Sequence, residues 1–305
     1  GAGGPLRFTG TLSKPGTVTV GGSAAAMDST FENFSGTSSV TTGTNDVPVV
    51  ATSANGYAST NTYQVVVPAG SSVSPTYDAD GNELTSGTGE TYTWDAENEL
   101  LSVVYSSGPN SGNHTEFAYD ALGRRIAIVE RTGTTLGSGT VTSTKQFVWI
   151  GSRIAEERDA SNAVTKRFYP QGEQIGSTNY YYTRDHLGSI REMLNSSGTI
   201  VARYDYDPYG RTTLVSGTNL SDFQYAGMYM HQTSGLNLTL FRAYDPNTAR
   251  WLARDPLGEC SDETLYSYVS NTPINAMDPL GLAAVFTFAN GSTASASKVN
   301  STRQP

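Results

Sequence analysis

Four Asp-Pro pairs stand out in this 305-residue chain as residues whose type and spacing invite chemistry: Asp207-Pro208, Asp245-Pro246, Asp255-Pro256 and Asp278-Pro279. The last lies in "NAMDPLGLAAV", residues 275–285. Pro fixes φ and the Gly two places later accepts φ > 0, so Asp-Pro-x-Gly is first of all a turn. Two Asp carboxyls held close can do more. They do not both ionise easily, so one keeps a proton, and the pair then offers a base and an acid for splitting an amide. The question is whether "DPLGL" is a plain turn or a bond set up to be cut.

Other candidates carry less. His114, His186 and His231 show no metal-ligand spacing, so neither a metal nor a cofactor is expected. Cys260 is the single cysteine; it allows no intrachain disulfide and reads as an incidental thiol. The Gly-Ser stretches "GTSSV" and "GSGT" lack the G-x-S-x-G of a nucleophile elbow. Sequons such as Asn113-His114-Thr115 and Asn237-Leu238-Thr239 are expected by chance in so Ser/Thr-rich a chain.

Whatever positions these residues is built of strands. Ser, Thr, Gly and Tyr dominate, with 32 Gly and 18 Tyr, and only 15% of residues are charged. Surface helices would need far more Lys, Glu, Leu and Ala. The expectation is an all-β chain in which tyrosines pack across strands rather than stack on sugars. Net charge is −9 and the lysines number four, Lys14, Lys145, Lys166 and Lys298, which argues against a nucleic-acid partner. The arginines are scattered through turn-like strings such as "GRR" and "GRT" and read as structural hydrogen-bonders. No apolar run approaches the roughly 18 residues a membrane span needs. The chain opens at "GAGG" without a visible signal peptide, which reads as a piece of something longer.

Four zones are expected, with the division at 204 resting on the resemblance given below and the others on the patterning. Residues 1–75 alternate Thr, Val and Ser between turns, and "VVATSANGYASTNTYQVVV" carries an Asn-Gly hairpin signal, so this segment is expected to be immunoglobulin-like or another strand repeat. Residues 76–203 repeat an aromatic-Asp turn followed by an alternating strand, in "YDADGNEL" (77–84), "WDAENELLSV" (94–103) and "YDALGRRIAIVE" (119–130). Asp caps the turn through backbone N–H groups two residues on, a later Gly supplies φ > 0, and the aromatic is expected to stack on its counterpart in the next hairpin. Residues 204–282 form a third zone and 283–305 a short polar tail.

The tandem Tyr-Asp motifs resemble those of YD/RHS-repeat proteins, and residues 204–282 resemble the RHS-repeat-associated core domain that ends such arrays. The strings that carry the likeness are "YDPYGR" (206–211), "FRAYDPNTARWLARDPLG" (241–258), "LYSYVSNTP" (265–273) and "MDPLGL" (277–282). Two departures are Ala249-Arg250 where the family has Gly-Arg, and Thr264-Leu265-Tyr266 where it has Asn-Leu-Tyr. Ala249 is uncomfortable if its position needs φ > 0. The resemblance implies a spiralling sheet of hairpins forming part of a β-shell, with the core domain as a plug. It also implies self-cleavage by an Arg-Asp pair and a second Asp, here Arg254, Asp255 and Asp278, cutting between Leu282 and Ala283. In that reading Arg254 favours an ionised Asp255 as base with Asp278 as the acid, the reverse assignment being the alternative.

Two functions compete on this basis. One is the C-terminal part of a bacterial, exported RHS protein, secreted or at the cell surface, that cuts itself after Leu282. Its partners would be its own C-terminal peptide and upstream repeats of the parent chain. The other is a non-catalytic structural or adhesive repeat protein, assembling with copies of itself or binding cell-surface glycans.

Overall fold

The computed structural model describes residues 3–67, 74–218, 221–258, 265–287 and 293–295. Cys260, Thr264 and Lys298 lie outside the described residues. No α-helix occurs among them, and no helix is long and apolar enough to cross a membrane. The chain divides into two compact units, residues 1–74 and 75–305.

The first unit holds β1 (Gly4–Thr11), β2 (Gly16–Val20), β3 (Ser23–Ala24), β4 (Ala26–Met27), β5 (Asn33–Val40), β6 (Gly43–Ser53) and β7 (Ala58–Val67). They form two antiparallel sheets, β1-β5-β4 and β3-β2-β6-β7, around Val18, Val20, Val40, Val47 and Val49. The Asn-Gly signal joins β6 to β7, with Gly56 at φ 81°.

The second unit is dominated by one 14-stranded antiparallel sheet whose strands pair in chain order. It runs through β8 (Thr76–Tyr77), β9 (Glu83–Thr85), β10 (Glu90–Trp94), β11 (Leu100–Tyr105), β12 (Asn113–Tyr119), β13 (Arg125–Thr132) and β14 (Val141–Ile150). It continues through β15 (Arg153–Arg158), β16 (Val164–Tyr169), β17 (Gly172–Ile175), β18 (Thr178–Arg184), β19 (Ile190–Asn195), β20 (Ile200–Tyr206) and β21 (Thr212–Gly217). The sheet is open, with β8 and β21 as its edges.

The Asp turns explain this regularity. In the turn from Asp120 to Arg124, the Asp Oδ1 accepts the N–H of Leu122 at 2.9 Å and of Arg124 at 3.1 Å, while the Gly123 N–H donates to the Asp120 carbonyl. The same pattern recurs from Asp159 to Ala163 and from Asp185 to Ser189. The fourth residue of each turn is left-handed: Gly81, Gly123 and Gly188, with Asn98 and Asn162 taking the same place. A left-handed residue after a tight turn makes a bulge, and the pairing register shifts beside the repeat aromatic, at Thr93/Trp94 and Ala118/Tyr119. In the same turns Arg124 and Arg211 fold back onto Asp120 and Asp207, the structural use the sequence suggests for arginine.

The repeat aromatics act differently from expectation. They do not stack from hairpin to hairpin among the described residues. Each instead sends its polar tip to the backbone at the start of the preceding strand: Trp94 to the Glu83 carbonyl, Tyr119 to Leu100, Trp149 to Arg125 and Tyr206 to Ile190, at 2.6–3.0 Å. A buried indole N–H or phenol needs a partner, and the bulge leaves a carbonyl within reach.

One face of this sheet is covered by the chain that follows it. β22 (Tyr229–His231), β23 (Leu236–Leu238), β24 (Ala243–Asp245) and β25 (Arg250–Trp251) form a small meander. Its Tyr229, Leu236, Leu238, Ala243 and Leu252 pack with Phe117, Ile128, Phe147, Ile154 and Phe168 of the large sheet. Each such aromatic contributes about 1.5–3 kcal/mol by leaving water. A second cluster, Tyr225, Tyr244, Trp251 and Tyr268, holds the core segment itself together. Polar pins join the two layers: His231 meets Glu130 at 2.8 Å, and Asp222 pairs with Lys145 and Lys166. A second small sheet of this unit consists of β26 (Ala276–Met277), β27 (Val285–Thr287) and β28 (Thr293–Ser295).

Candidate active site

Asp255 and Asp278 are brought together. Each begins a turn of the same family as the repeat turns, and Asp255 keeps its pattern: Oδ1 accepts the Leu257 N–H at 2.8 Å, and the Gly258 N–H donates to the backbone carbonyl at 2.9 Å. At Asp278 the pattern slips along the chain. Its Oδ1 accepts the N–H of Gly281 at 2.8 Å, of Leu282 at 3.0 Å and of Ala283 at 3.3 Å. A carboxyl that elsewhere only closes a turn here reaches the nitrogen of the Leu282–Ala283 bond. Gly281, the fourth residue of this turn, is left-handed at φ 77°, and a Cβ there would stand 2.4 Å from Thr239 Oγ1.

The second oxygens of the two carboxyls converge on one group, the guanidinium of Arg242. Its Nη2 lies 2.9 Å from Asp255 Oδ2 and 3.2 Å from Asp278 Oδ2. Its Nε donates to the Gly281 carbonyl at 2.6 Å, and the group lies 4.2 Å from the centre of the Trp251 ring. Exposure is 6% for Arg242, 9% for Asp255 and 2% for Asp278, so the three groups satisfy one another out of water. Burial pushes the Asp278 carboxyl above the ordinary carboxylate range, against the pull of Arg242 and the three N–H groups. Arg242 lies in "LTLFRAYD" and went unmarked in the sequence. The available signal was a lone cation inside an apolar, strand-like run.

Arg254 is placed elsewhere. It is exposed, and among the described residues the cation paired with Asp255 is Arg242. Arg254 lies against Gly81, in the first turn of the large sheet. The cation against Asp255 is thus Arg242 rather than its neighbour in sequence, Arg254.

A cavity of about 510 Å³ opens beside Asp255, walled by the turns around Asp80–Asn82 and Glu97–Leu100 and by Leu238–Ala243 and Ala253–Pro256. It has room for water. Asp278 does not line it. Leu282 and Ala283 are half-buried, held through Asp278 Oδ1, through the Gly281 carbonyl on Arg242, and through the Phe241 N–H on the Leu280 carbonyl at 3.1 Å. Among the described residues no group of three or more His, Cys, Asp or Glu is placed to hold a metal ion.

Comparison with known proteins points one way. Residues 158–278 match the model of the Teneurin YD-shell family. The chain is 31% identical over 223 residues to the tRNA nuclease WapA of Bacillus subtilis, covering 67% of this chain and 9% of that protein. It is 27% identical over 237 residues to toxin subunit YenC1 of Yersinia entomophaga, covering 69% and 24%. To double-stranded DNA deaminase toxin A of Burkholderia cenocepacia it is 26% identical over 245 residues, covering 69% and 17%. The crystal structure of TcdB2-TccC3 superposes with a TM-score of 0.54 at 19% identity, covering 92% of this chain and 15% of that one, and so shares the fold. The chain spans less than a quarter of the length of these curated relatives.

An open sheet of Asp-turn hairpins covered by a short-stranded core defines the class: a segment of a YD-repeat β-shell. The chain belongs to the YD/RHS-repeat proteins.

Proposed function

We propose that this chain is the C-terminal part of an exported bacterial RHS protein whose core cuts its own backbone between Leu282 and Ala283. The observation that carries the reading is the contact of Asp278 Oδ1 with the Ala283 nitrogen, with Arg242 joining that carboxyl to Asp255. Asp255 takes a proton from a water, and the water oxygen adds to the Leu282 carbonyl carbon. As the C–N bond breaks, the Ala283 nitrogen loses planarity and receives a proton from Asp278. The products are a carboxylate at Leu282 and an amine at Ala283. Burial of Asp278 supports its role as the protonated partner. No substrate has to be captured, because the bond lies four residues beyond Asp278 (282 − 278 = 4). Arg254, which the resemblance includes in the site, acts in this reading from the cavity wall.

The test is the intact mass of wild type, Asp255→Asn and Asp278→Asn. A wild-type product ending at Leu282, absent from both variants, supports self-cleavage; a single uncut species in all three overturns it. Among the described residues the outer strands β8 and β21 each have one edge without a partner, which favours a second reading, in which the sheet continues onto neighbours and the chain is a structural or adhesive unit. Stable self-association or glycan binding by an uncut protein supports that alternative.

A further inference from the structure

The cleavage site has a wall contributed from far away in the chain. The first turn of the large sheet, Asp78 to Asn82, meets the core at Gly81. Gly81 is left-handed, at φ 89°, and has no room for a side chain: a Cβ there would stand 2.2 Å from Arg254 Nε and 2.6 Å from Tyr266 Oη. Tyr266 donates its hydroxyl to the Gly81 carbonyl at 2.7 Å, across 185 positions of sequence. One side of its ring meets Tyr77 at 5.5 Å and the Arg250 guanidinium lies 5.2 Å from its centre, so the ring is not free to swing away. Next to this contact the Glu83 N–H donates to the Leu252 carbonyl at 2.8 Å. The backbone that carries Asp255, from Leu252 to Asp255, is thus gripped by the sheet at one end. At the other it is held by its own Asp255 N–H, which donates to the Leu265 carbonyl at 3.0 Å. The same turn and the next one, with Asp80, Asn82 and Asn98, close the cavity that Asp255 faces.

We infer that the turn Asp78–Asn82 is a working part of the self-cleavage site. Gly81 and Tyr266 are positioning residues, and they make cutting conditional on the repeats having docked against the core. This rests on the self-cleavage reading above and adds its regulation. An undocked core keeps Asp278 and Ala283 in one turn but loses the hold that keeps Asp255 at Arg242, and the cavity beside Asp255 loses a wall. The chain then stays whole until the sheet is folded on it.

The test uses the full chain and two matched substitutions. Asn is the native residue at the equivalent turn positions 98 and 162, at φ 63° and 67°, so Gly81→Asn leaves the turn itself workable. Gly188 occupies the same turn position at φ 82° with nothing within 4 Å of an added Cβ, so Gly188→Asn carries the same backbone change without a collision. Gly81→Asn is expected to slow cleavage about tenfold or more and to shift the acid limb of its pH–rate profile, with Gly188→Asn within about twofold of wild type. Tyr266→Phe keeps the ring and removes only the hydroxyl; it is expected to slow cleavage several-fold at an unchanged unfolding midpoint, and it decides the matter if Gly81→Asn fails to fold. Equal rates in Gly81→Asn and Gly188→Asn, whether both normal or both slow, overturn the inference, as does a wild-type rate in Tyr266→Phe. A wild type that never cuts fails the self-cleavage reading instead.

Discussion

Asp278 Oδ1 and the Ala283 amide nitrogen stand 3.3 Å apart, the last of three successive N–H groups gathered by one carboxylate oxygen. In the repeat turns at Asp120 and Asp185 the corresponding oxygen stops at the residue four places on. The candidate site is thus a repeat turn displaced by one residue, with a buried arginine tying it to a second such turn.

That arginine is the first test. Arg242→Met removes the cation from between two buried carboxyls and is expected to abolish self-cleavage and to lower stability by about 3–5 kcal/mol. Arg242→Lys keeps the charge but loses the planar fork, and falls between. Denaturant unfolding read beside intact mass separates the two effects; a fully stable Arg242→Met would show that the carboxyls do not rely on it.

Ala249 sits at φ 59°, the left-handed position where the family carries glycine. Ala249→Gly is expected to stabilise the protein by about 0.5–1 kcal/mol, because relief of the Cβ strain outweighs the extra freedom of the unfolded chain. That corresponds to a rise of about 1–4 °C in midpoint. A lower midpoint would contradict the strain.

Glu173 is 1% exposed, with Tyr182 donating to one oxygen at 2.8 Å, and burial beside Asp222 raises its carboxyl to about 8. A carboxyl raised above its unfolded value of 4.5 destabilises the fold only where the unfolded chain would be ionised. The penalty is absent below about pH 4.5, grows up to about pH 8 and is constant beyond. Glu173→Gln is therefore expected to match wild type at pH 4 and to be more stable, by a few kcal/mol at most, at pH 9. Unfolding midpoints across that range check it; parallel curves would rule it out.

Asp222 holds the core segment to the sheet through Lys145 on β14 and Lys166 on β16. Asp222→Ala leaves both lysines without their shared partner beside the buried Tyr229 and is expected to cost about 3 kcal/mol. Asp222→Ala combined with Lys166→Met should recover part of that loss, and a double-mutant cycle measures the coupling.

Local sequence accounts for a good deal of this. The Asn-Gly hairpin of the first unit, the Asp turns at 78, 95 and 120, and the strands between them follow from short-range rules, since each turn is closed by hydrogen bonds within five residues. The turn at Asn195 was harder to see, because Asn stands where Asp is expected and still accepts the same two N–H groups. The repeat aromatics were legible as positions but not in what they do, because the carbonyl each one reaches is created by the bulge of a neighbouring hairpin.

The pairing of Asp255 with Asp278 entered through the family's motif strings, and their common partner did not. The one local signal at Arg242 is its place in an apolar, strand-like run, and its partners are 13 and 36 residues away in sequence. Arg254 shows the converse. Adjacency to Asp255 suggested an ion pair, yet successive residues of an extended segment point to opposite sides, and Arg254 faces the first turn of the sheet while Asp255 faces Arg242. By itself the sequence determined the strands, the turns and the bond beside Asp278, all of which depend on neighbours within a few residues. Tertiary structure alone decided which cation joins the two carboxyls and which distant turn walls them in, because burial and charge pairing are set by what the folded chain brings within 4 Å.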